Sequence, residues 1–193
     1  MRSQARIDKI RSVLARRQPD LSVVIENVHD AHNVSAIFRS CDAAGVCRVE
    51  LVYTTERLPR IGKKSSSSAN KWVERRSHRS AQECFALLRS EGFTVGASHL
   101  GPGTIPVYDC DLRAPVALVF GNEHRGVSEE AARAADFCFR IPMMGMIQSL
   151  NVSVAAAVTL YEALRQRMAA GDLAVPKLDA HDLEALYDDW IAR

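Results

Sequence analysis

Five short segments of this chain are apolar almost throughout, and helical patterns separate them. They are "LSVVIENV" (21–28), "VCRVELVY" (46–53), "FTVGAS" (93–98), "PVALVF" (115–120) and "FCFRI" (137–141). A strand without a polar face must be covered on both sides, and strands joined through helices run parallel. The pattern therefore predicts an α/β fold: a mostly parallel sheet with helices on both faces. In such sheets ligands bind beyond the carboxyl ends of the strands. The loops after Val28, Ser98, Phe120 and Ile141 are where chemistry is to be sought.

The helices have their own signals. Residues 4–17 place Ile7, Ile10, Val13 and Leu14 on one side and bases elsewhere. "NVSAIFRSCDAAG" follows the first strand, with Asn33 as the expected N-cap and Gly45 as terminator. Residues 65–76 read as a polar, basic loop leading to Trp72. Ser80 and Glu83 stand at capping-box spacing, and Gly92 ends that helix. "SEEAARAAD" has acids in its first turn, a long helix covers 152–170 up to Gly171, and an acidic helix covers about 180–192. At 193 residues the chain fits one domain, with the basic helix (about 4–17) and the acidic helix (about 180–192) as short appendages.

Charge is unevenly spread on a chain of net charge +2. Residues 57–79 hold eight Lys/Arg (Arg57, Arg60, Lys63, Lys64, Lys71, Arg75, Arg76, Arg79) against Glu74 alone, and residues 1–17 hold six against Asp8. Two such blocks suit a nucleic-acid backbone or two solvated faces. No apolar run reaches a membrane span, and the basic start lacks the apolar core of a secretory signal. Its helical spacing and Asp8 favour a structured helix over a transit peptide, so the cytoplasm is expected. The five cysteines are scattered with no C-x-x-C pair, which argues against a disulfide framework or a zinc site; no metal is expected.

Three strand-end stretches carry polar side chains. Asn33 and Arg39 follow the first strand, and Arg39 emerges among Ile37, Phe38 and Cys41. Alone, that arginine reads as snorkelling to solvent or pairing with Asp42. In "LVFGNEHRGVSEE", Gly121 and Gly126 bracket Asn122, Glu123, His124 and Arg125. No G-x-G-x-x-G or G-K-[ST] is present, so neither a dinucleotide site nor a P-loop is supported; a Glu123–Arg125 surface pair is the plain reading. In "IPMMGMIQSLNVSVAAAV", Ser149 or Asn151 could cap the following helix, whose Ala/Val run is suited to burial.

Taken together, "HNVSAIFRSCDAAG", "LVFGNEHRGVS" and "IPMMGMIQSLNVSVAAAVTLYEALRQR" closely resemble the three signature motifs of the SPOUT superfamily, in particular the TrmH family of RNA ribose 2′-O-methyltransferases. "NKWVERRSH" resembles a further family segment, and the resemblance runs along essentially the whole chain in order. It implies a C-terminal trefoil knot, an obligate homodimer whose sites draw on both subunits, and S-adenosyl-L-methionine as cofactor. The implied cofactor contacts are Ser98, Leu100, Gly121, Ile141, Met146 and Leu150. The implied catalytic group is Arg39, assisted by Asn33, Glu123, Ser149 and Asn151. The resemblance makes the arginine a general base once an RNA phosphate engages it. With a pKa above about 12, steering the phosphate and stabilising a developing alkoxide suits it better. Arg11, Lys63, Lys71, Arg165 and Arg167 are the expected RNA phosphate contacts. Within the resemblance, the compact build is most similar to the family members that methylate guanosine 18 in the tRNA D-loop, so that substrate is implied; another tRNA position or ribosomal RNA is the alternative. A catalytically dead RNA-binding protein and a small-molecule methyltransferase are weaker readings, because the polar set is complete and the basic blocks are present.

Overall fold

The computed structural model describes residues 3–59 and 69–193. Its strands are β1 (Gln18–Glu26), β2 (Val46–Val52), β3 (Glu74–His78), β4 (Thr94–Ser98), β5 (Ile105–Pro106), β6 (Val116–Phe120) and β7 (Phe137–Arg140). Its helices are α1 (Gln4–Leu14), α2 (Ala31–Ala43), α3 (Ala81–Ser90), α4 (Glu129–Ala134), α5 (Val152–Ala169) and α6 (Ala180–Ala192). The strands form one sheet in the order β3-β2-β1-β6-β4-β7-β5, and every pairing is parallel. All carboxyl ends therefore open onto one edge of the molecule.

Alternate residues of the central strands feed two separate cores. Val23, Ile25, Leu118 and Phe120 pack beneath α2 and α5 with Ile37, Phe38 and Leu160. Val24, Ala117 and Val119 face the opposite way, under Phe85 and Leu88 of α3 and Ala131 of α4. Each large apolar side chain buried in this way contributes roughly 1.5–3 kcal/mol, which is why both faces of the strands read as apolar. A third, smaller cluster joins α1 to α6 through Ile10, Leu14 and Trp190, with Trp72 half-buried against it.

Several boundaries differ from the sequence expectation, each for a local reason. α1 stops at Leu14 because Arg17 turns inward: its guanidinium pairs with Asp42 at 2.6 Å, donates to Val46 O at 3.0 Å, and lies 4.9 Å from the Trp190 ring. β1 begins at Gln18 and ends at Glu26, before the left-handed Asn27 (φ 52°). The N-cap of α2 is Asp30, not Asn33; its side chain accepts from His32 N at 2.8 Å. Part of the expected 65–76 loop is instead the edge strand β3. Its inward Arg76 and His78 meet the fully buried Glu50 of β2, at 2.9 and 2.6 Å, so charge takes the place of a core face there. Ser80 does cap α3, accepting from Glu83 N at 3.1 Å, and Glu83 reaches back to Arg79 N at 3.0 Å. α5 runs from its cap Asn151 to the left-handed Gly171.

No described helix is long and apolar enough to cross a membrane.

Candidate active site

At the carboxyl edge of the sheet, the ends of β4, β6 and β7 and the start of α5 enclose a cleft of about 700 Å³. Its wall holds Ser98, Leu100, Gly121, Glu123, Ile141, Ser149, Leu150 and Asn151, together with His99, Arg140 and Met143. Five of the six expected cofactor contacts are thus gathered in one place. Met146 is not among the lining residues: it is fully exposed, and Met143 of the same loop lines the cleft instead.

The loop after β6 is built from the end of β1. Asn122 donates to Asn27 O at 2.9 Å, and Glu26 accepts from Ser128 N and Oγ at 2.9 and 2.6 Å, so two consecutive residues hold both ends of the loop. Asn122 and Gly126 exchange backbone hydrogen bonds of 2.9 and 2.8 Å across it. A Cβ on Gly121 would lie 2.1 Å from Gly126 O and 2.2 Å from Val127 N, so only glycine fits. Asn122 was overlooked as a structural hub; its place beside the tight Gly121 was the available signal.

Within that loop Glu123 does not pair with Arg125. Its Oε1 accepts from Asn33 Nδ2 at 2.9 Å and Asp30 N at 3.0 Å, and its Oε2 accepts from His29 N at 3.0 Å. Arg125 instead reaches Glu56 at 2.8 Å. Burial raises the pKa of Glu123, but the bonds from Asn33, His29 N and Asp30 N outweigh it and hold the carboxyl below its usual value. The same carboxylate, with burial as the larger cause, pushes up the pKa of Tyr53, whose hydroxyl donates to Val28 O at 3.0 Å.

The array continues across the cleft. Asn33 Oδ1 accepts from Asn151 Nδ2 at 3.0 Å, and Asn151 Oδ1 accepts from Ser153 N at 2.8 Å. One chain of amide and carboxylate groups therefore ties the loops after β1, β6 and β7. Asn151 fills both of its sequence readings, capping α5 and belonging to the polar set. Because Asp30 caps α2, the Asn33 side chain is released for this role. Ser149 is exposed on the same wall.

Arg39 stands apart from its own cleft. It lies on the exposed side of α2 and makes no hydrogen bond or ion pair among the described residues, Asp42 being taken by Arg17. Of the expected phosphate contacts, Arg11 is exposed, with its guanidinium 4.9 Å from the Tyr187 ring. Lys71 is exposed, and Arg165 is exposed beside Glu162 at 2.8 Å. Lys63 lies outside the described residues. Arg167 is a correction: it is fully buried and donates to Leu112 O, Ala114 O, Asp20 O, Asp20 Oδ1 and Gln18 Oε1, so it is a structural residue closed to phosphate.

Glu50, His78 and Cys84 are close enough to surround an ion, but both Glu50 oxygens are already engaged by Arg48, Arg76 and His78. Two guanidinium groups on that carboxylate oppose a further cation.

The comparisons with known proteins point the same way. Residues 20–161 match the model of the SpoU rRNA Methylase family. The chain is 47% identical over 192 residues to the tRNA (guanosine(18)-2′-O)-methyltransferase of Thermus thermophilus, covering 100% of this chain and 98% of that protein. The crystal structure of the A. aeolicus TrmH/SpoU tRNA modifying enzyme superimposes with a TM-score of 0.91 at 36% identity, covering 97% of this chain and 95% of that one. An AdoMet-bound rRNA methyltransferase from Sinorhizobium meliloti matches with a TM-score of 0.70 at 28% identity, over 81% of this chain and 59% of that one. This chain belongs to the SpoU rRNA methylase family.

Proposed function

We propose that this chain is an S-adenosyl-L-methionine-dependent RNA ribose 2′-O-methyltransferase acting on guanosine 18 in the D-loop of tRNA. The observation that carries the reading is the Asn151–Asn33–Glu123 array at the lip of the cleft, in a chain nearly co-extensive with a relative named for that reaction.

The residues present fit the cofactor. The cleft has the size of a small-molecule site, apolar walls from Phe120, Ile141, Leu150 and Ala155, and backbone brought close by Gly121. When bound, S-adenosyl-L-methionine supplies an electrophilic methyl carbon. Ser98, Leu100, Gly121, Ile141 and Leu150, with Met143 in the place expected of Met146, would hold it. The chain's own polar groups then act on the RNA. Asn151 and Ser149 orient the ribose, and Glu123 fixes Asn33 and so the mouth of the site. Arg39 engages the adjoining phosphate and favours the charge that develops on the ribose 2′-oxygen as its proton passes to solvent water. Arg11, Lys71 and Arg165 take phosphates without reading sequence.

The working unit in this proposal is a homodimer. Val154, Tyr161 and Met168 recur every seventh residue on α5 and remain exposed, at 46%, 53% and 64%, and Met144, Met146 and Ile147 of the preceding loop are exposed too. The Ala/Val helix thus has an apolar outer stripe that a second copy would cover, and Arg39 would enter the partner's cleft. The trefoil knot is supported by the path of the chain: β7 lies near one edge of the sheet, yet the following segment returns as α5 to pack on α2. The cytoplasm, where tRNA is modified, is the proposed location.

The test is to incubate the protein with labelled S-adenosyl-L-methionine and an unmodified tRNA transcript, with Arg39→Ala beside it, and to map the label. A methylated ribose at guanosine 18, absent with the variant, is expected. Label at another tRNA position or only on ribosomal RNA would overturn the substrate assignment. Failure to bind the cofactor would overturn the enzyme reading altogether.

A further inference from the structure

Asn27 is the one described residue other than glycine with a positive φ, and it is buried. Asparagine tolerates the left-handed region better than most residues, because its short polar side chain bonds locally. Here the bonding is not to its own turn. Its Oδ1 accepts from three successive amides of another loop, Thr54 N (2.9 Å), Thr55 N (3.0 Å) and Glu56 N (3.2 Å), and its Nδ2 donates to Thr54 Oγ1 (3.1 Å). Its own N–H donates to Val52 O (2.9 Å), and its carbonyl receives Asn122 Nδ2. One residue therefore fastens together the loops that follow β1, β2 and β6.

Further links join the same loops: Tyr53 Oη donates to Val28 O, Arg125 reaches Glu56 and Thr55 Oγ1, and the second Glu56 oxygen lies 3.5 Å from His29 Nδ1. What is fastened matters, because the loop after β1 presents the His29 and Asp30 amides to Glu123, while the loop after β2 leads straight into Arg57. Arg57 is exposed and makes no hydrogen bond or ion pair among the described residues, so its charge is available to a phosphate. We propose that Asn27 is a positioning residue for RNA: by pinning the 54–56 turn to the Glu123 loop it fixes where Arg57 meets the RNA backbone relative to the cleft. The inference rests on the RNA methyltransferase reading and adds to it a residue that touches neither cofactor nor ribose.

The experiment measures dissociation constants for unmodified tRNA transcript, across a salt series, and for S-adenosyl-L-methionine. The proteins are wild type, Asn27→Ala, Asn27→Asp, Arg57→Ala and the Asn27→Ala/Arg57→Ala pair. Asn27→Ala is expected to weaken tRNA binding about five- to tenfold and to lower the salt slope by about one, the signature of a lost phosphate contact. Cofactor affinity should stay within about twofold, because the cleft-lining Asn122 bonds the Asn27 backbone carbonyl, which alanine keeps. Asn27→Asp keeps an acceptor for the three amides and should restore tRNA binding. Added to Arg57→Ala, Asn27→Ala should cost little more, since both remove the same contact. Unchanged tRNA affinity, equal losses for tRNA and cofactor, or fully multiplicative losses would overturn the proposal. If Asn27→Ala does not fold, Asn27→Gly, which suits the positive φ and removes the same side-chain bonds, decides: weaker tRNA binding supports the idea and wild-type binding sinks it. Wild-type protein that binds tRNA but never methylates it would refute the enzyme reading while leaving this inference to its own binding data.

Discussion

Replacing Arg167 by methionine separates two readings of one residue. The sequence places this arginine in a basic helix end suited to phosphate, whereas the structure gives its guanidinium five acceptors and no solvent. Methionine keeps the apolar stem and removes every donor. The carbonyls of Leu112, Ala114 and Asp20 each lose a partner, and the Asp20 carboxylate loses one of two. Breaking a buried ion pair costs about 3–5 kcal/mol. Asp20 is partly exposed and keeps Lys177 at 2.6 Å, which puts the expected loss near the lower end, at about 3 kcal/mol. For a chain of this size that corresponds to a melting point lower by roughly 6–12 °C. The assay is a thermal melt run beside tRNA binding, with Arg165→Ala as the exposed comparison. Arg167→Met should melt early and, while folded, bind tRNA as the wild type does; Arg165→Ala should do the reverse. A variant that melts with the wild type but binds tRNA weakly would refute the buried role.

Three further outcomes are expected. Mixing Arg39→Ala subunits with Asn151→Ala subunits should restore about a quarter of wild-type methylation, because half of randomly paired dimers would carry one intact composite site; no recovery would mean that each chain uses its own arginine. Gly121→Ala should weaken cofactor binding about ten- to a hundredfold by calorimetry, the scale of 1–3 kcal/mol of overpacking, since its Cβ would meet Gly126 O at 2.1 Å; ordinary affinity would show that the loop can move aside. Burial raises the pKa of Glu50, but hydrogen bonds from Arg76, His78 and Arg48 outweigh it, so the group sits below its usual 4.5. A depressed carboxylate stabilises the fold fully above its unfolded pKa and loses that contribution as pH falls through the folded one. Denaturant midpoints should therefore drop below about pH 4.5 more steeply in wild type than in Glu50→Gln, and parallel acid limbs would contradict the sign.

The central strands were legible because Leu21 to Ile25 and Val116 to Phe120 are buried on both faces, which leaves a composition no other element would carry. β3 was not, since "ERRSH" meets its neighbour through Glu50, and nothing local in either segment announces a partner 26 residues away. The same gap hid Arg167, whose acceptors lie 53 to 149 residues distant along the chain. Asn33, Glu123 and Asn151 were found as a set only through their resemblance to known motifs; in isolation each had an adequate local explanation as a cap or a surface pair. For Asn33 and Glu123 that explanation was displaced, because Asp30 caps α2 and Glu56 takes Arg125. Asn151 kept its cap and joined the array as well.

The packing of α1 on α6 sets an order of events during synthesis. Ile10 and Leu14 are made before any strand of the sheet, but Trp190, which closes over them with its ring 4.8 Å from that of Trp72, is made after all of them. Throughout translation of the sheet the amphipathic α1 therefore carries an apolar side with no permanent cover, beside a growing chain full of apolar strands. Its three bases, Arg6, Lys9 and Arg11, are exposed on the other side, and α6 brings Asp182, Glu184, Asp188 and Asp189 when it arrives. The contrast in charge between α1 and α6 thus suits this order of assembly.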